Sequence, residues 1–287
     1  MKISLKLTST AILLSGLATI TGCSSDDSSS GSVGVAPPAN AIVIDSANAE
    51  TIATAALDTT SVLLAKGSPA TVSTGGVINE ALDRINTNRK NSGLDLVSGV
   101  SFNETYNCTT DFPDTEGAPN TYTDKGNFTG DVNGSASGST TFVSCDFGMG
   151  AVLNGTLNWN SSWNGPSYTD NASGNLTMQY NGLTVAIKSL SFRETGSDYW
   201  DGGTGDYSIS TLQYVYDPGT DGFAVQTTTA IQGNEYYCGP HAGIVLITGG
   251  SNSKARITFN SDMSVTIEYD TGDGTYTATT NSPIACF

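Results

Sequence analysis

The sequence has one histidine, His241, in 287 residues, and it contains no G-x-S-x-G, H-E-x-x-H or C-x-x-C motif. Zinc hydrolases need two or three histidine ligands, and a serine triad needs a histidine beside a presented nucleophile. Nothing in the sequence therefore supports these enzyme classes. His241 lies in the turn-like segment Cys238-Gly-Pro-His-Ala-Gly243, so we expect it to be a loop residue.

Basic residues are also few. The chain has 11 lysines and arginines against 27 acidic residues, a formal net charge of −16, and no basic cluster. Binding to nucleic acid requires clustered cations that neutralise phosphates, so we expect no nucleic-acid partner. Serine, threonine, asparagine and glycine are abundant, while aromatic and β-branched residues remain plentiful. This composition predicts a folded, exported β protein rather than a disordered chain.

A hydrophobic run long enough to cross a bilayer as a helix is missing too. Residues 7–20 are mostly apolar, but about 20 apolar residues are needed to span the hydrocarbon core. This run follows Lys2 and Lys6 and ends in Ile20-Thr-Gly-Cys23, which resembles the lipobox signal of bacterial lipoproteins. The resemblance implies cleavage before Cys23 and acylation of its thiol and its new amine.

The lipobox resemblance also implies a location. Ser24 directly follows Cys23, which in lipoprotein sorting signals favours the outer membrane of a Gram-negative cell, with the side that the domain faces left open. Each buried CH₂ contributes about 0.8 kcal/mol, and stable attachment needs roughly two acyl chains. The membrane is thus one expected partner, bound through lipid. We predict a signal peptide at 1–22, a lipidated cysteine with a flexible tether at 23–38, and one β-rich domain at 39–287.

Four further cysteines form an even set in a chain predicted to be exported, which indicates two disulfides. They are Cys108, Cys145, Cys238 and Cys286. Three pairings are possible. We favour Cys108 with Cys145 and Cys238 with Cys286, because cysteines close in sequence meet more readily in an up-and-down sheet. Each bond then contributes about 3–4 kcal/mol in the chain-entropy model.

Apolar and polar residues alternate with a period of two from Leu94 onward, as in Leu176-x-Met178-x-Tyr180. The segments are separated by asparagine or aspartate followed by glycine, which predicts tight hairpin turns. These pairs begin at Asn133, Asn181, Asp201, Asp221 and Asp273. Asn154-Gly155 suits either a turn or an uninterrupted strand. The fold class is therefore mainly β: an antiparallel meander of about ten to twelve strands, curled into a barrel or half-barrel.

Two short helices are predicted before the sheet. The first is capped by Asp45 or Ser46 and places Ile52, Ala55, Ala56 and Leu57 on one face. The second covers residues 76–90 and ends at Asn91-Ser-Gly93. We expect their apolar faces to cover the sheet.

Carboxylates, glycines and aromatic rings concentrate in residues 198–207. Asp198, Asp201 and Asp206 are candidate ligands for Ca²⁺, the one cofactor that the sequence suggests, since a hard cation prefers oxygen ligands on tight glycine turns. Tyr199 and Trp200 are candidate residues for stacking on a sugar ring. The segment also suits a plain hairpin loop whose aromatic rings cap the sheet. Glu194 with Asp198 is a conceivable carboxylate pair for glycoside hydrolysis, without a distinctive spacing.

Residues 243–250, 253–259 and 265–274 resemble the C-terminal segments of uncharacterised Gram-negative outer-membrane lipoproteins with a β-rich domain of unknown function. The resemblance carries over no functional residues. We therefore expect a non-enzymatic binding or scaffold module, whose protein or small-molecule partner the sequence leaves open. One alternative is a carrier of a lipid or another apolar ligand inside the curled sheet. A further alternative is a carbohydrate-active enzyme.

Overall fold

The computed structural model of the protein describes residues 35–64, 100–108, 120–130, 133–146, 151–180, 183–197, 202–234 and 239–283. Within these ranges, one helix, α1 (Ala49–Leu64), precedes twelve antiparallel strands in a single sheet. The strands are β1 (Val100–Asn107), β2 (Thr121–Gly130), β3 (Asn133–Asp146), β4 (Ala151–Asn164), β5 (Ser167–Tyr180), β6 (Leu183–Ser197), β7 (Asp206–Asp217), β8 (Phe223–Asn234), β9 (Pro240–Thr248), β10 (Lys254–Phe259), β11 (Ser264–Asp270) and β12 (Thr277–Pro283).

The sheet is an open, curled meander. Each strand pairs with the strand that follows it in sequence, and in the described residues β1 and β12 do not pair with each other. Twist prevents so many strands from staying flat. Phe102 of β1 and Trp159 of β4 bring their ring centroids within 6.1 Å, because Gly126 and Gly138 on the two strands between them leave room for the rings. The prediction of a curled meander of ten to twelve strands is confirmed.

The two faces of the sheet differ because successive side chains of a strand point to opposite sides. In β10, for example, Ile257 and Phe259 are buried, whereas Arg256 and Thr258 stay partly exposed. We call the apolar side the inner face and the polar side the outer face. Inward side chains from β1 to β11 join one hydrophobic cluster. This cluster is the core of the domain.

Helix α1 packs near β10–β12 and begins as predicted after Asp45. Asp45 Oδ1 accepts a hydrogen bond from the Ala47 N–H at 2.8 Å, and Asn48 Oδ1 accepts one from the Asp45 N–H at 2.9 Å. This reciprocal pair satisfies N–H groups that a helix start leaves open. Ile52 and Ala56 are buried in the core. The second predicted helix, 76–90, lies outside the described residues.

The segment before α1 is fixed to the turns at one end of the sheet. The Ile42 N–H donates to Gly222 O at 3.0 Å, and Ile42 O accepts from the Gly250 N–H at 2.7 Å. The Ile44 N–H donates to the Ser253 hydroxyl oxygen at 2.8 Å. The start of the domain is therefore held against the β7–β8 and β9–β10 turns.

The predicted turns are partly displaced. Asn133 and Gly134 belong to β3, and Gly134 pairs with Gly130 of β2, so the turn prediction at this dipeptide was wrong. Asn154-Gly155 lies inside the uninterrupted β4. The β4–β5 reversal falls instead at Gly165 (φ 56°), where a residue without a Cβ adopts the left-handed region at little cost.

Two β-bulges repeat the same local geometry. Ser144 in β3 (φ 49°) and Ser189 in β6 (φ 54°) each adopt the left-handed conformation. The Ser144 N–H donates to Asn154 Oδ1 at 2.8 Å, and the Ser189 N–H donates to Asn175 Oδ1 at 2.9 Å. An asparagine on the neighbouring strand thus satisfies the N–H that the bulge takes out of the ladder. Bulges increase local twist and so contribute to the curl.

Candidate binding cleft

A cleft with a volume of about 610 Å³ opens on the outer face of β1–β4. It is shallow and largely open to solvent, so a ligand there would lie on the sheet surface rather than inside an enclosed cavity. The residues that line it are Ser101, Phe102, Asn103, Lys125, Gly126, Asn127, Ser137, Gly138, Ser139 and Asn158. Most of them carry hydroxyl or amide groups, one carries a positive charge, and none carries a carboxylate. The cleft can therefore both donate and accept hydrogen bonds.

Strand register places the polar groups of the cleft in two parallel rows. One row runs across the four strands as Asn103, Lys125, Ser139 and Asn158. The other runs as Ser101, Asn127, Ser137 and Asn160. Neighbouring strands lie about 4.8 Å apart, and outward residues of one strand are about 6.8 Å apart. The cleft thus presents a regular grid of polar groups.

Hydrogen bonds between outward side chains order this surface. The Ser101 hydroxyl donates to Asn127 Oδ1 at 2.7 Å inside the cleft. Next to it, the hydroxyl oxygens of Thr105 and Thr123 lie 2.9 Å apart. Such contacts fix side-chain orientations before a ligand arrives, which lowers the entropy that binding would cost.

Glycines form the floor of the cleft. Gly126 and Gly138 pair with each other across β2 and β3. A Cβ on Gly138 would lie 2.2 Å from Lys125 O and 2.7 Å from the ring of Trp159. Only glycine therefore allows the strands to approach so closely while the Trp159 ring packs beneath them on the inner face.

Among the described residues that line the cleft, Lys125 alone is charged, and its side chain is exposed. Among the described residues it forms no ion pair. Lys188, another exposed lysine of the outer face, differs, because its Nζ lies 2.5 Å from Asp217 Oδ2. The hydrogen bond from Lys188, followed by one from the Gly219 N–H, lowers the pKa of Asp217. No acid of the described part of the chain holds the Lys125 ammonium in the way that Asp217 holds that of Lys188.

Behind the cleft, a buried hydrogen-bond chain fixes the inner face. Asp124 is 3% exposed, and its Oδ1 accepts from the Thr140 hydroxyl at 2.6 Å. The Thr140 oxygen accepts in turn from Trp159 Nε1 at 3.1 Å. Buried polar groups need such partners, because water cannot reach them. The chain holds the Trp159 ring under Gly138.

Two carboxylates meet elsewhere on the inner face. Asp170 of β5 pairs directly with Glu194 of β6, and their side chains are 9% and 2% exposed. The Tyr168 hydroxyl donates to Glu194 Oε1 at 2.5 Å. The partner predicted for Glu194, Asp198, lies outside the described residues. Neither Asp170 nor Glu194 lines the cleft.

Of the predicted calcium ligands, the structure describes Asp206 alone. Its Oδ1 accepts from Asn234 Nδ2 at 2.7 Å, and this hydrogen bond, followed by one with Thr204, lowers the pKa of Asp206. Asp206 therefore joins the β6–β7 loop to β8. Asp198, Asp201 and the two stacking candidates, Tyr199 and Trp200, lie outside the described residues. The described residues contain no group of three acidic, histidine or cysteine side chains that could hold a metal ion.

The cysteines and the histidine have the following positions. Cys108 and Cys145 form a disulfide with a Cα–Cα distance of 5.5 Å, which confirms the first predicted pair. Cys23, Cys238 and Cys286 lie outside the described residues. His241 is exposed, and its charge contributes to lowering the pKa of Asp206. No helix in the described ranges is long and apolar enough to cross a membrane.

The cleft residues were missed by sequence reasoning, because outward polar residues are common on any wet sheet face. A usable signal is present in retrospect. Serine and asparagine recur at alternate positions of four successive strands, and Lys125 is the one charged residue among them. Recognising a cleft also requires the register that aligns these positions.

Comparison of the chain with protein-family models, with curated proteins and with solved structures finds no match.

Proposed function

We propose that the protein is a lipid-anchored, extracytoplasmic binding module of the outer membrane that binds its partner on the outer face of β1–β4. The observation that carries the proposal is the cleft, whose lining combines hydroxyl and amide groups with one lysine. The membrane attachment is supported by the lipobox-like sequence that ends at Cys23. The tether at 23–38 would let the domain reach a partner away from the bilayer.

The arrangement of carboxylates supports a role without catalysis. General acid–base chemistry needs a carboxylate within hydrogen-bond reach of the substrate. In the described residues, Asp170 and Glu194 meet on the buried inner face, whereas the open cleft is lined by no acid. A carbohydrate-active enzyme is therefore the weaker proposal.

A carrier would need an apolar cavity for its ligand. The inward side chains of β9–β11 are instead packed into the core, with Ile247 and Ile257 almost fully buried and α1 next to them. Native mass spectrometry of protein purified from its own membranes separates the two roles. A co-purifying lipid would favour the carrier, and a lipid-free interior would favour the binding module.

Membrane fractionation after a Cys23→Ala substitution tests the proposal. We expect this variant to lose the acyl chains and to leave the membrane fraction, and we expect globomycin to block processing of the wild type. Ser24→Ala is the matched control, because it keeps the cysteine and should remain in membranes. Unchanged fractionation of Cys23→Ala would overturn the anchored module.

A further inference from the structure

We infer that the cleft on β1–β4 binds a saccharide that carries a carboxylate, such as a uronic acid unit. The inference rests on the proposed function, because it names the class of ligand for the same cleft. It does not depend on the membrane anchor.

The walls of the cleft match a hydroxyl-rich ligand. A sugar hydroxyl donates one hydrogen bond and accepts others, and each asparagine amide offers both a donor pair and an acceptor. Asn103, Asn127 and Asn158 supply such amides, and Ser137 and Ser139 supply hydroxyls between them. Because these groups occupy successive strands in register, they can contact several hydroxyls of one sugar unit at once.

Lys125 adds the requirement for a negative charge. It lies in the row between Asn103 and Ser139, and none of the described residues that line the cleft is a carboxylate that could neutralise it. A bond between an ammonium and a carboxylate is stronger than a neutral hydrogen bond. The carboxylate of one uronic acid unit therefore complements the lysine, and the hydroxyls of that unit complement the polar grid.

Other ligand classes fit less well. A nucleic acid binds through many phosphate contacts, whereas one cation is found among the described residues of the cleft. A metal ion needs oxygen anions that the cleft lacks. An apolar ligand would leave the serine and asparagine groups without water or hydrogen bonds, which is costly.

Isothermal titration calorimetry of the full-length protein tests the inference. The protein is kept in a polyoxyethylene detergent, because a detergent with a sugar headgroup would compete. The probes are trigalacturonate and its neutral counterpart, trigalactose. We expect trigalacturonate to bind about tenfold more tightly, as for one charge-assisted contact at a partly exposed site.

Three variants locate the binding. Lys125→Gln should remove the preference for trigalacturonate, so that both sugars bind alike. Asn158→Ala should weaken both sugars. Lys188→Gln is the matched control, because it removes an exposed lysine of the same face outside the cleft and should leave both affinities unchanged.

The inference is overturned if trigalacturonate does not bind, if both sugars bind the wild type equally, or if Lys125→Gln keeps the preference. None of these results bears on membrane fractionation, so the anchored module of the proposed function would stand. Conversely, unchanged fractionation of Cys23→Ala would overturn the membrane anchor and would leave the ligand assignment in place.

Discussion

Strands β1–β6 and strands β9–β11 bury different kinds of side chain on the inner face. In β9–β11 the inward residues are mostly aliphatic, as at Val245 and Ile257, and the one buried carboxylate described there, Asp270, lies at the end of β11. In β1–β6 the inner face contains the buried carboxylates Asp124, Asp170 and Glu194, together with aromatic rings beneath glycines. Aliphatic side chains stabilise the fold without needing hydrogen bonds, whereas a buried carboxylate is costly unless it is hydrogen-bonded or paired with a charge. The C-terminal strands therefore serve as scaffold, whereas the N-terminal strands have a less favourable interior, with Asp124 beneath the cleft and Asp170 and Glu194 beside it.

The largest expected effect comes from shortening an aliphatic residue of the scaffold. Ile257 is 1% exposed between β9 and β11. Ile257→Ala should lower the free energy of unfolding by about 2–5 kcal/mol, because it removes buried surface and leaves a cavity. Ile257→Val should cost only about 0.5–1.5 kcal/mol. Urea unfolding measures both. A loss below that of the valine variant would show that the scaffold strands are loosely packed and would break the comparison.

A smaller loss in the free energy of unfolding is expected from removing a buried hydroxyl group beneath the cleft. Thr140→Val keeps the shape but removes the group that donates to Asp124 and accepts from Trp159. We expect the free energy of unfolding to fall by about 2 kcal/mol, because both buried partners lose a hydrogen bond.

Thr140→Ser is the control for this change, since it keeps the hydroxyl. It should retain more stability than Thr140→Val in the same urea titration. If the valine variant is the more stable of the two, the inner face of β1–β6 does not depend on its polar contacts.

The hydrogen bond between α1 and the sheet should contribute less to the free energy of unfolding than the Thr140 hydroxyl does. The Tyr214 hydroxyl of β7 donates to Ala56 O of α1 at 3.1 Å, and burial raises its pKa, so it remains a neutral donor. Tyr214→Phe should lower the free energy of unfolding by about 1 kcal/mol, the usual net value of one hydrogen bond. Thermal unfolding followed by near-ultraviolet circular dichroism measures the shift. An unchanged midpoint would show that packing alone holds α1.

The smallest effect concerns acid stability at the β11–β12 turn. The N–H of Gly272, ahead of that of Gly274, lowers the pKa of Asp270 by hydrogen bonding. A carboxyl whose pKa is lower in the folded state stabilises the fold above its unfolded pKa, about 3.9, and loses this contribution as the pH falls through the folded value. Asp270→Asn keeps the acceptor oxygen but does not titrate.

We therefore expect the melting temperature of Asp270→Asn to fall less than that of the wild type between about pH 5 and about pH 2, a range that includes the ordinary aspartate pKa. Asp221→Asn, on the exposed β7–β8 turn, is the control and should follow the wild type. Identical acid profiles for the wild type and Asp270→Asn would contradict a role for this turn.

Much of the fold could be predicted from the sequence, because it depends on local patterns. Period-two alternation identifies strands such as that around Val265 and Ile267, and of the two caps expected for α1, Asp45 or Ser46, the structure shows Asp45. The disulfide between Cys108 and Cys145 followed from their proximity along a meander. The turn at Asn133 was misplaced, since the pairing of Gly130 with Gly134 depends on register rather than on the dipeptide.

The candidate site could not be predicted, because it depends on contacts between strands. Lys125 and Asn158 are 33 positions apart and become neighbours in one row only through the register of β2, β3 and β4. The opposition of Asp170 and Glu194 likewise follows from pairing of β5 with β6. The sequence instead drew attention to 198–207, where acids and aromatic residues are adjacent in the chain.

The most direct test of the account is a titration with trigalacturonate followed by the side-chain amide signals of asparagine in nuclear magnetic resonance spectra. The account predicts saturable shifts for Asn103, Asn127 and Asn158 of the cleft and none for Asn260, at the β10–β11 turn. Shifts at Asn260 with unmoved cleft signals would contradict it, because binding would then lie on the scaffold strands.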